Sequence, residues 1–193
     1  KKTALAEFAN IRKGGIIAIG IEADDLLIDV KLTIGQSEVV LITREGMSIR
    51  FSEEDVRSMG RPAVGVYGID LEKTDRVVAL SVVVPDATLL VAGDNGIGKR
   101  TAFDEYRLQS RGGKGVINMK TTDKTGKVVA VFPVDADSEI MIITQQAKLI
   151  RLEAGAIRKT GRSAQGVRLI KTDEGDKVTS ASLVEAATEE EEE

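Results

Sequence analysis

One stretch of seven residues, QSRGGKG at positions 109–115, has the residue types that bind phosphate. Glycines allow left-handed backbone conformations and leave peptide N–H groups accessible. An arginine forks onto phosphate oxygens, and a lysine supplies a compact point charge. The candidate binding residues are Gln109, Ser110, Arg111, Gly112, Gly113, Lys114 and Gly115. Such a loop positions a phosphate without reading bases, and both a nucleotide and a nucleic acid remain open as its source.

A second glycine-rich stretch, GDNGIGK at 93–99, fits most of the nucleotide-binding pattern G-x-x-x-x-G-K. That pattern needs Ser or Thr at the next position to reach magnesium, and it needs a strand–loop–helix setting. Arg100 occupies the next position, and strand-like sequence follows it. The stretch also aligns with the turn that ends at Gly46, one repeat earlier. We therefore predict a tight turn here and no ATP binding by this chain.

Arg111 of the 109–115 loop and Arg107, just before the loop, recur along the chain at a spacing of about fifty residues. One position carries Lys13, Arg61, Arg111 and Arg162, and a second carries Arg57, Arg107 and Arg158. If the repeats are radially equivalent, these side chains form a curved positive track for a nucleic-acid backbone. The alternative is a set of solvated turns between repeats. Aromatic residues make up only 3% of the chain, which argues against single-strand stacking and favours duplex DNA.

Longer matches show a duplicated unit of about one hundred residues, which the fifty-residue spacing divides again into four repeats. EVVLITREGMSIRF at 38–51 aligns with EIMIITQQAKLIRL at 139–152, and KKTALAEF at 1–8 aligns with KRTAFDEY at 99–106. Four short strands in about fifty residues are typical of a propeller blade, so we predict an all-β radial array of four blades. Two small β-sandwiches are the alternative. The predicted repeats span about 1–45, 46–95, 96–146 and 147–184 within one domain over 1–184.

The predicted strands are short, rich in β-branched residues and separated by Asp, Gly or Ser. A single helical turn is expected at 52–56, with Ser52 as its N-cap. No long amphipathic helix is expected. The strands are predicted at 15–21, 26–34, 39–43, 77–84, 88–92, 128–134 and 140–144.

The composition excludes several classes of function. The 193 residues include no Cys and no His, which removes disulfides, thiol nucleophiles, Ser-His triads and ordinary zinc sites. No apolar run approaches the length of a membrane span, and no signal peptide opens the chain. The formal net charge of −4 becomes +2 for residues 1–184 when Glu185 and the run 189–193 are left out. We expect a disordered acidic tail at 185–193 that either aids solubility or competes with nucleic acid for the basic surface.

Several of these motifs resemble a known family. QSRGGKG resembles the box QRRGGKG of the C-terminal domain of bacterial DNA gyrase A, and GRSAQGVRLI at 161–170 resembles that domain's repeated GR-x-x-x-GV element. The openings KKTALAEF and GKRTAFDEY and the acidic tail are also similar. The resemblance implies a β-pinwheel, a propeller-like disc whose blades exchange strands, with duplex DNA bent around its basic rim. It also implies that residues 109–115 take the wrapping role of the box.

The resemblance further implies partners and a division of labour. Members of the family act with the rest of gyrase A and with gyrase B to introduce negative supercoils using ATP. ATP and magnesium bind elsewhere in that holoenzyme, and the strand-passage tyrosine belongs to another domain. We therefore expect no cofactor and no enzyme activity of this chain on its own. A cytoplasmic, nucleoid-associated location in bacteria is expected, without contact with a membrane.

The chain departs from the family pattern in two respects. Ser110 replaces the first arginine of the box. The family domain usually has six blades with its main box in the first, whereas this loop opens the third of four repeats, which indicates a fragment lacking two blades. The corresponding domain of topoisomerase IV is a close alternative, and a β-propeller scaffold for protein partners is another, although aromatic anchors are scarce. Asp135 and Asp137 are a candidate metal pair, but a turn between strands explains them better.

Overall fold

The computed structural model describes residues 1–184, which form short β-strands and single 3₁₀ turns. The all-β prediction is confirmed, and the acidic tail predicted at 185–193 lies outside the described residues. No helix within residues 1–184 is long and apolar enough to cross a membrane. The 3₁₀ turns are Leu5–Phe8, Glu53–Asp55, Phe103–Glu105 and Ala154–Ala156. The strands are β1 (Glu38–Thr43), β2 (Met47–Ser52), β3 (Val77–Val82), β4 (Thr88–Gly93), β5 (Ile97–Ala102), β6 (Val116–Ile117), β7 (Val128–Val134), β8 (Glu139–Thr144), β9 (Leu149–Glu153), β10 (Val167–Arg168) and β11 (Val178–Val184).

The strands form three antiparallel sheets, with the orders β3-β1-β2-β6, β10-β5-β4-β7 and β11-β8-β9. Each sheet is built on a hairpin, whose first strand also pairs with a later strand: β1 with β3, β4 with β7 and β8 with β11. The strands β6 and β10 come from the following repeat and pair with the second strand of the hairpin. Neighbouring sheets adjoin through β3, β7 and β11, so β6 and β10 lie at the outer edges. The strand exchange that the resemblance implied is present.

The hairpin turns of the first two sheets require glycine. Gly46 and Gly96 have φ angles of +86° and +76°, in the left-handed region. A Cβ on Gly46 would lie 2.1 Å from the carbonyl oxygen of Met119, and one on Gly96 would lie 2.4 Å from that of Ile170. Both carbonyls belong to segments that follow an exchanged strand, so the missing side chain lets that segment dock against the turn. The turn predicted within 93–99 is confirmed, with Lys99 already in β5.

Apolar side chains fill the space between neighbouring sheets. Strand β4 lies inside the molecule, and its side chains alternate between two cores. Leu89 and Val91 pack with Val40 of β1 in one core, while Leu90 packs with Ile140 of β8 in the other. Full burial of such a side chain contributes about 1.5–3 kcal/mol. The repeats are therefore held together by cores that lie between sheets.

Five of the seven predicted strands are confirmed, as β1, β3, β4, β7 and β8. The helical turn predicted at 52–56 is present as the 3₁₀ turn Glu53–Asp55, and the Ser52 Oγ accepts a 3.1 Å hydrogen bond from the Glu54 N–H. The predicted repeat boundaries at 45/46, 95/96 and 146/147 fall in the hairpin turns. The first strand of each hairpin begins earlier, at residues 38, 88 and 139.

The strands predicted at 15–21 and 26–34 are wrong, because neither range contains a strand. Residues 28–34 correspond to Val128–Val134 of β7, which pairs with β4. Residues 1–3 correspond to 99–101 in the second half of β5, so the first repeat of this chain has no equivalent of β4. A strand without a partner is not stable in water. Its apolar side chains therefore remain exposed, and Ile34 is 90% exposed where Val134 is 2% exposed.

Candidate nucleic-acid interface

The loop at 109–115 leads directly into β6, the outer strand of the first sheet. Backbone hydrogen bonds hold it on that sheet: the Gln109 N–H donates to Arg50 O at 2.9 Å, and the Gly112 N–H donates to Gly68 O at 2.7 Å. Gly113 O accepts from the Asp70 N–H at 2.9 Å. The loop is thus attached to the repeat before its own. The equivalent loop at 160–166 leads into β10 at the outer edge of the second sheet.

Arg111 binds protein backbone in this structure. Its Nε donates to Asp55 O at 3.0 Å, and its Nη1 donates to Tyr67 O at 3.0 Å. Fifty-one residues later, Arg162 repeats the arrangement, with Nε donating to Glu105 O at 3.2 Å and Nη1 donating to Ile117 O. All the accepting carbonyls lie in the preceding repeat. These arginines therefore attach each loop to the preceding repeat through side-chain hydrogen bonds.

Arg61 makes only one of the two equivalent hydrogen bonds. Its Nη1 donates to Ile17 O at 2.7 Å, while its buried Nε has no hydrogen-bond partner among the described residues. Arg61, Arg111 and Arg162 are all half-buried. The spacing of residues in the sequence identifies this repeated position, but it gives no sign that the side chains here contact backbone carbonyls.

Arg57, Arg107 and Arg158 have a different environment. All three are exposed, and within residues 1–184 none of them forms an ion pair with a carboxylate. Arg107 Nη2 donates to Gln109 Oε1 at 3.2 Å, which places this guanidinium beside the loop. Lys13 is exposed as well, in a segment without regular structure, and Ser110 is exposed within the loop. The second repeated position therefore presents its charge to solvent.

Lys114 is exposed and paired with a carboxylate. Its Nζ lies 2.9 Å from Glu72 Oε1, and both side chains are largely exposed. The hydrogen bond and the negative charge of Glu72 raise the pKa of Lys114 above its usual value. An exposed pair of this kind contributes little to stability and is screened by salt. Lys114 is therefore protonated at neutral pH and separable from Glu72 by a competing anion.

The three glycines of the loop meet different constraints. Gly115 has a φ angle of +73°, and a Cβ there would lie 2.1 Å from Ser48 O on β2. Gly112 has a φ angle of +80° but open space around it, with Tyr67 O at 3.7 Å. A Cβ on Gly113 would meet only the Ile49 side chain at 3.8 Å. Gly115 is thus required by strand exchange, while Gly113 is free of both constraints.

A buried lysine supports the loop at 160–166. Lys99 is fully buried, and its Nζ donates to Gly161 O at 3.1 Å and also to Arg162 O. Burial and, to a smaller extent, the charge of Arg162 lower the pKa of Lys99 to about 8, against the opposing charge of Glu105. Ile49 of β2 occupies the place equivalent to Lys99 under the 109–115 loop. The sequence signal for this role was the match of Lys99 with Lys1, whose Nζ binds Gly60 O and Ala63 O at 3.0 Å.

Comparison with known proteins assigns this arrangement to a family. The family model described as "DNA gyrase C-terminal domain, beta-propeller" matches residues 1–34, 37–83, 87–135 and 138–185. The chain belongs to this family. The four matched segments of the gyrase C-terminal domain follow one another along almost the whole chain, and the loop at 109–115 lies in the third.

Individual relatives agree with the family. The DNA gyrase A protein of Lawsonia intracellularis is 41% identical over 98% of this chain, which corresponds to 23% of that protein. The solved C-terminal domain of DNA topoisomerase IV matches with a TM-score of 0.88 and 25% identity over 95% of this chain and 58% of that one. The solved DNA gyrase A C-terminal domain matches with a TM-score of 0.81 and 28% identity over 89% of this chain and 58% of that one. The chain thus spans about a quarter of the gyrase A protein it matches, and the pinwheel prediction is confirmed.

Proposed function

We propose that this chain binds duplex DNA along its outer edge and bends it, as the C-terminal part of a DNA gyrase A protein. The observation that carries the proposal is the equivalent placement of Arg57, Arg107 and Arg158, which are exposed without carboxylate partners in residues 1–184. Arg107 stands beside the loop that leads to the outer strand β6. Guanidinium groups in this setting contact phosphates and carry no base preference.

The proposed role is supportive and not catalytic. In the holoenzyme, the wrapped DNA supports ATP-dependent negative supercoiling, with the rest of gyrase A and gyrase B as partners. ATP and magnesium bind elsewhere in the holoenzyme, and this chain has no cofactor of its own. The proposal places the protein in the bacterial cytoplasm, in contact with the nucleoid. The corresponding domain of topoisomerase IV is the second candidate, favoured by the TM-score of 0.88 to the solved topoisomerase IV domain.

The test is the salt dependence of binding to linear duplex DNA. Each phosphate neutralised contributes about −0.9 to the slope of log K against log salt concentration, so a handful of contacts gives a slope of roughly −4 to −6. The triple variant R57A/R107A/R158A is expected to reduce the magnitude of that slope by about 3. Pre-bent or flexible duplex is expected to bind better than stiff duplex, since bending costs on the order of a few kcal/mol.

A matched control removes the same amount of charge from cations that already have carboxylate partners. Lys127, Lys148 and Lys177 pair with Glu45, Asp173 and Asp94 respectively. Their triple alanine variant is expected to change the slope less than R57A/R107A/R158A does. Circular dichroism of both variants checks that the strands remain. A triple arginine variant with the wild-type slope would rule out these three side chains as phosphate contacts.

A further inference from the structure

A small concavity lies at the outer edge of the second sheet, where β10 meets the start of β5. Its volume is about 180 Å³, and its lining includes Asn95, Ile97, Lys124, Arg168, Ile170 and Lys171. The two isoleucines are buried and form an apolar floor. The three cations are exposed and form its walls. The sequence did not single out these cations, because they do not lie in the loops that carry the repeated arginines.

The cations of this concavity are not neutralised by ion pairs. Within residues 1–184, no carboxylate lies within ion-pair distance of Lys124, Arg168 or Lys171. Nearby carboxylates already have partners, since Asp173 pairs with Lys148 at 2.9 Å and Asp94 pairs with Lys177 at 3.4 Å. Asp123 adjoins Lys124 in the chain, so the site keeps an excess of positive charge.

The repeat offers an internal comparison at the first sheet. The residues equivalent to Asn95, Lys124 and Lys171 are Glu45, Lys73 and Lys120, about fifty residues earlier. Glu45 places a carboxylate where the second sheet has an amide, and it pairs with Lys127. Ile117 stands in the place of Arg168. The cationic concavity is therefore particular to the second sheet and not a general feature of the repeat.

We propose that this concavity binds a backbone phosphate of duplex DNA, as an anchoring point separate from the 109–115 loop. The inference rests on the proposed function. Strand β10 follows directly after the loop that contains Arg162, so a duplex lying along the outer edge meets Arg168 and Lys171 next. A guanidinium fork beside two ammonium groups suits a phosphodiester. The apolar floor strengthens the attraction, because it lowers the local dielectric constant.

The anchoring point is tested with a pair of charge-matched double variants. R168A/K171A is expected to reduce the magnitude of the salt slope on linear duplex by about 2, since two phosphate contacts are lost. K73A/K120A removes the same charge from the equivalent place on the first sheet and is expected to change the slope by less than half as much. Equal changes in the two variants would overturn the inference. Failure of the wild-type chain to bind duplex would overturn the proposed function itself.

A footprint locates the contact directly. The chain contains no cysteine, so K171C and K120C each offer a single site for an iron-EDTA cleavage reagent. Reagent at position 171 is expected to cut bound duplex strongly, and reagent at position 120 weakly. Equal cutting from both positions would contradict the inference. Inorganic phosphate is added at matched ionic strength as a competitor of duplex binding. If phosphate competes but the reagent at position 171 does not cut the duplex, the site binds free phosphate and the inference is overturned.

Discussion

At the scale of single residues, the arginines of the repeated loops divide into two groups. Arg111 and Arg162 direct their guanidinium groups at carbonyl oxygens of the preceding repeat. Arg107 and Arg158 lie four residues earlier and are exposed. The first group therefore shapes the loop, and under the proposed function the second group contacts DNA. Arginines at two different positions of the same repeat therefore have different environments, although both positions recur at the same spacing.

Replacing one arginine of each group with alanine separates these roles. R111A removes hydrogen bonds from a charged donor to two carbonyls, so the free energy of unfolding is expected to fall by about 1–2 kcal/mol. R107A removes an exposed side chain and is expected to change it by less than about 0.5 kcal/mol, while lowering the magnitude of the salt slope by about 1. Urea denaturation and duplex titration measure the two effects. Equal destabilisation by both variants would contradict the division.

At the scale of elements, the exchanged strands β6 and β10 depend on glycines that precede them. Gly115 and Gly166 have φ angles of +73° and +98°. A Cβ at these positions would lie 2.1 Å from Ser48 O and 2.3 Å from Gly98 O. Each glycine thus lets the chain cross the hairpin of the preceding repeat at close range. Gly113, two residues before Gly115, meets no such obstacle.

Two alanine variants of the same loop are therefore expected to differ. G115A forces a side chain against the backbone of β2 and strains a left-handed residue, so it is expected to lower the free energy of unfolding by about 2 kcal/mol or more. G113A is expected to cost less than about 1 kcal/mol. Thermal and urea denaturation measure both. A tolerated G115A would show that strand β6 docks without this close approach.

The sequence predicted the first strand of each hairpin and missed the second. Strands β1, β4 and β8 are apolar runs, which indicate buried strands directly. Strand β5 has the sequence IGKRTA, and its buried Lys99 and Arg100 break the apolar pattern. Backbone carbonyls of the next repeat satisfy both cations: Arg100 Nε donates to Ile157 O at 2.9 Å, and Lys99 Nζ to Gly161 O. These partners are distant in sequence, so a local pattern cannot reveal them.

The same reason limits the prediction of the site. The box pattern singled out the loop, and the spacing found equivalent cations in successive repeats. Which of them face solvent depends on carbonyls more than forty residues away, such as Tyr67 O for Arg111. The cations around Lys171 were missed because they gather only when β10 docks on β5. Contacts between repeats therefore decide the roles that residue type leaves open.

At the scale of the whole molecule, the first repeat contrasts with the other three. Its residues 28–34 correspond to strand β7, yet they have no partner of the β4 type in this chain. Val30 and Ile34 are 70% and 90% exposed, while the equivalent Ala130 and Val134 are 9% and 2% exposed. Residues 66–67 correspond to the exchanged strand β6 and also lack a strand assignment. Both observations follow from the missing start of one hairpin: residues 28–34 lack its first strand, and residues 66–67 lack the beginning of its second strand.

The last prediction supplies the start of that hairpin from the chain's own sequence. Because Lys1 corresponds to Lys99, a copy of residues 87–98 fused before Lys1 recreates β4, its turn and the start of β5 in the first repeat. Residues 28–34 are then expected to pair with the added strand as β7 pairs with β4, and residues 66–67 to pair as β6 does with β2. Burial of the exposed apolar side chains drives the pairing, at about 25 cal/mol per Å².

Hydrogen exchange followed by mass spectrometry measures the result. Peptides covering 28–34 and 66–67 are expected to exchange more slowly in the fusion than in the original chain, since their N–H groups enter a ladder. A fusion with the same twelve residues in scrambled order is the control, and it is expected to leave the exchange unchanged. Unchanged exchange in the ordered fusion would show that the absence of these hairpin residues does not explain why 28–34 and 66–67 form no strand. Slower exchange at both places would show that the added residues complete one further sheet, to which the second repeat lends residues 66–67 as β10 is lent to the second sheet.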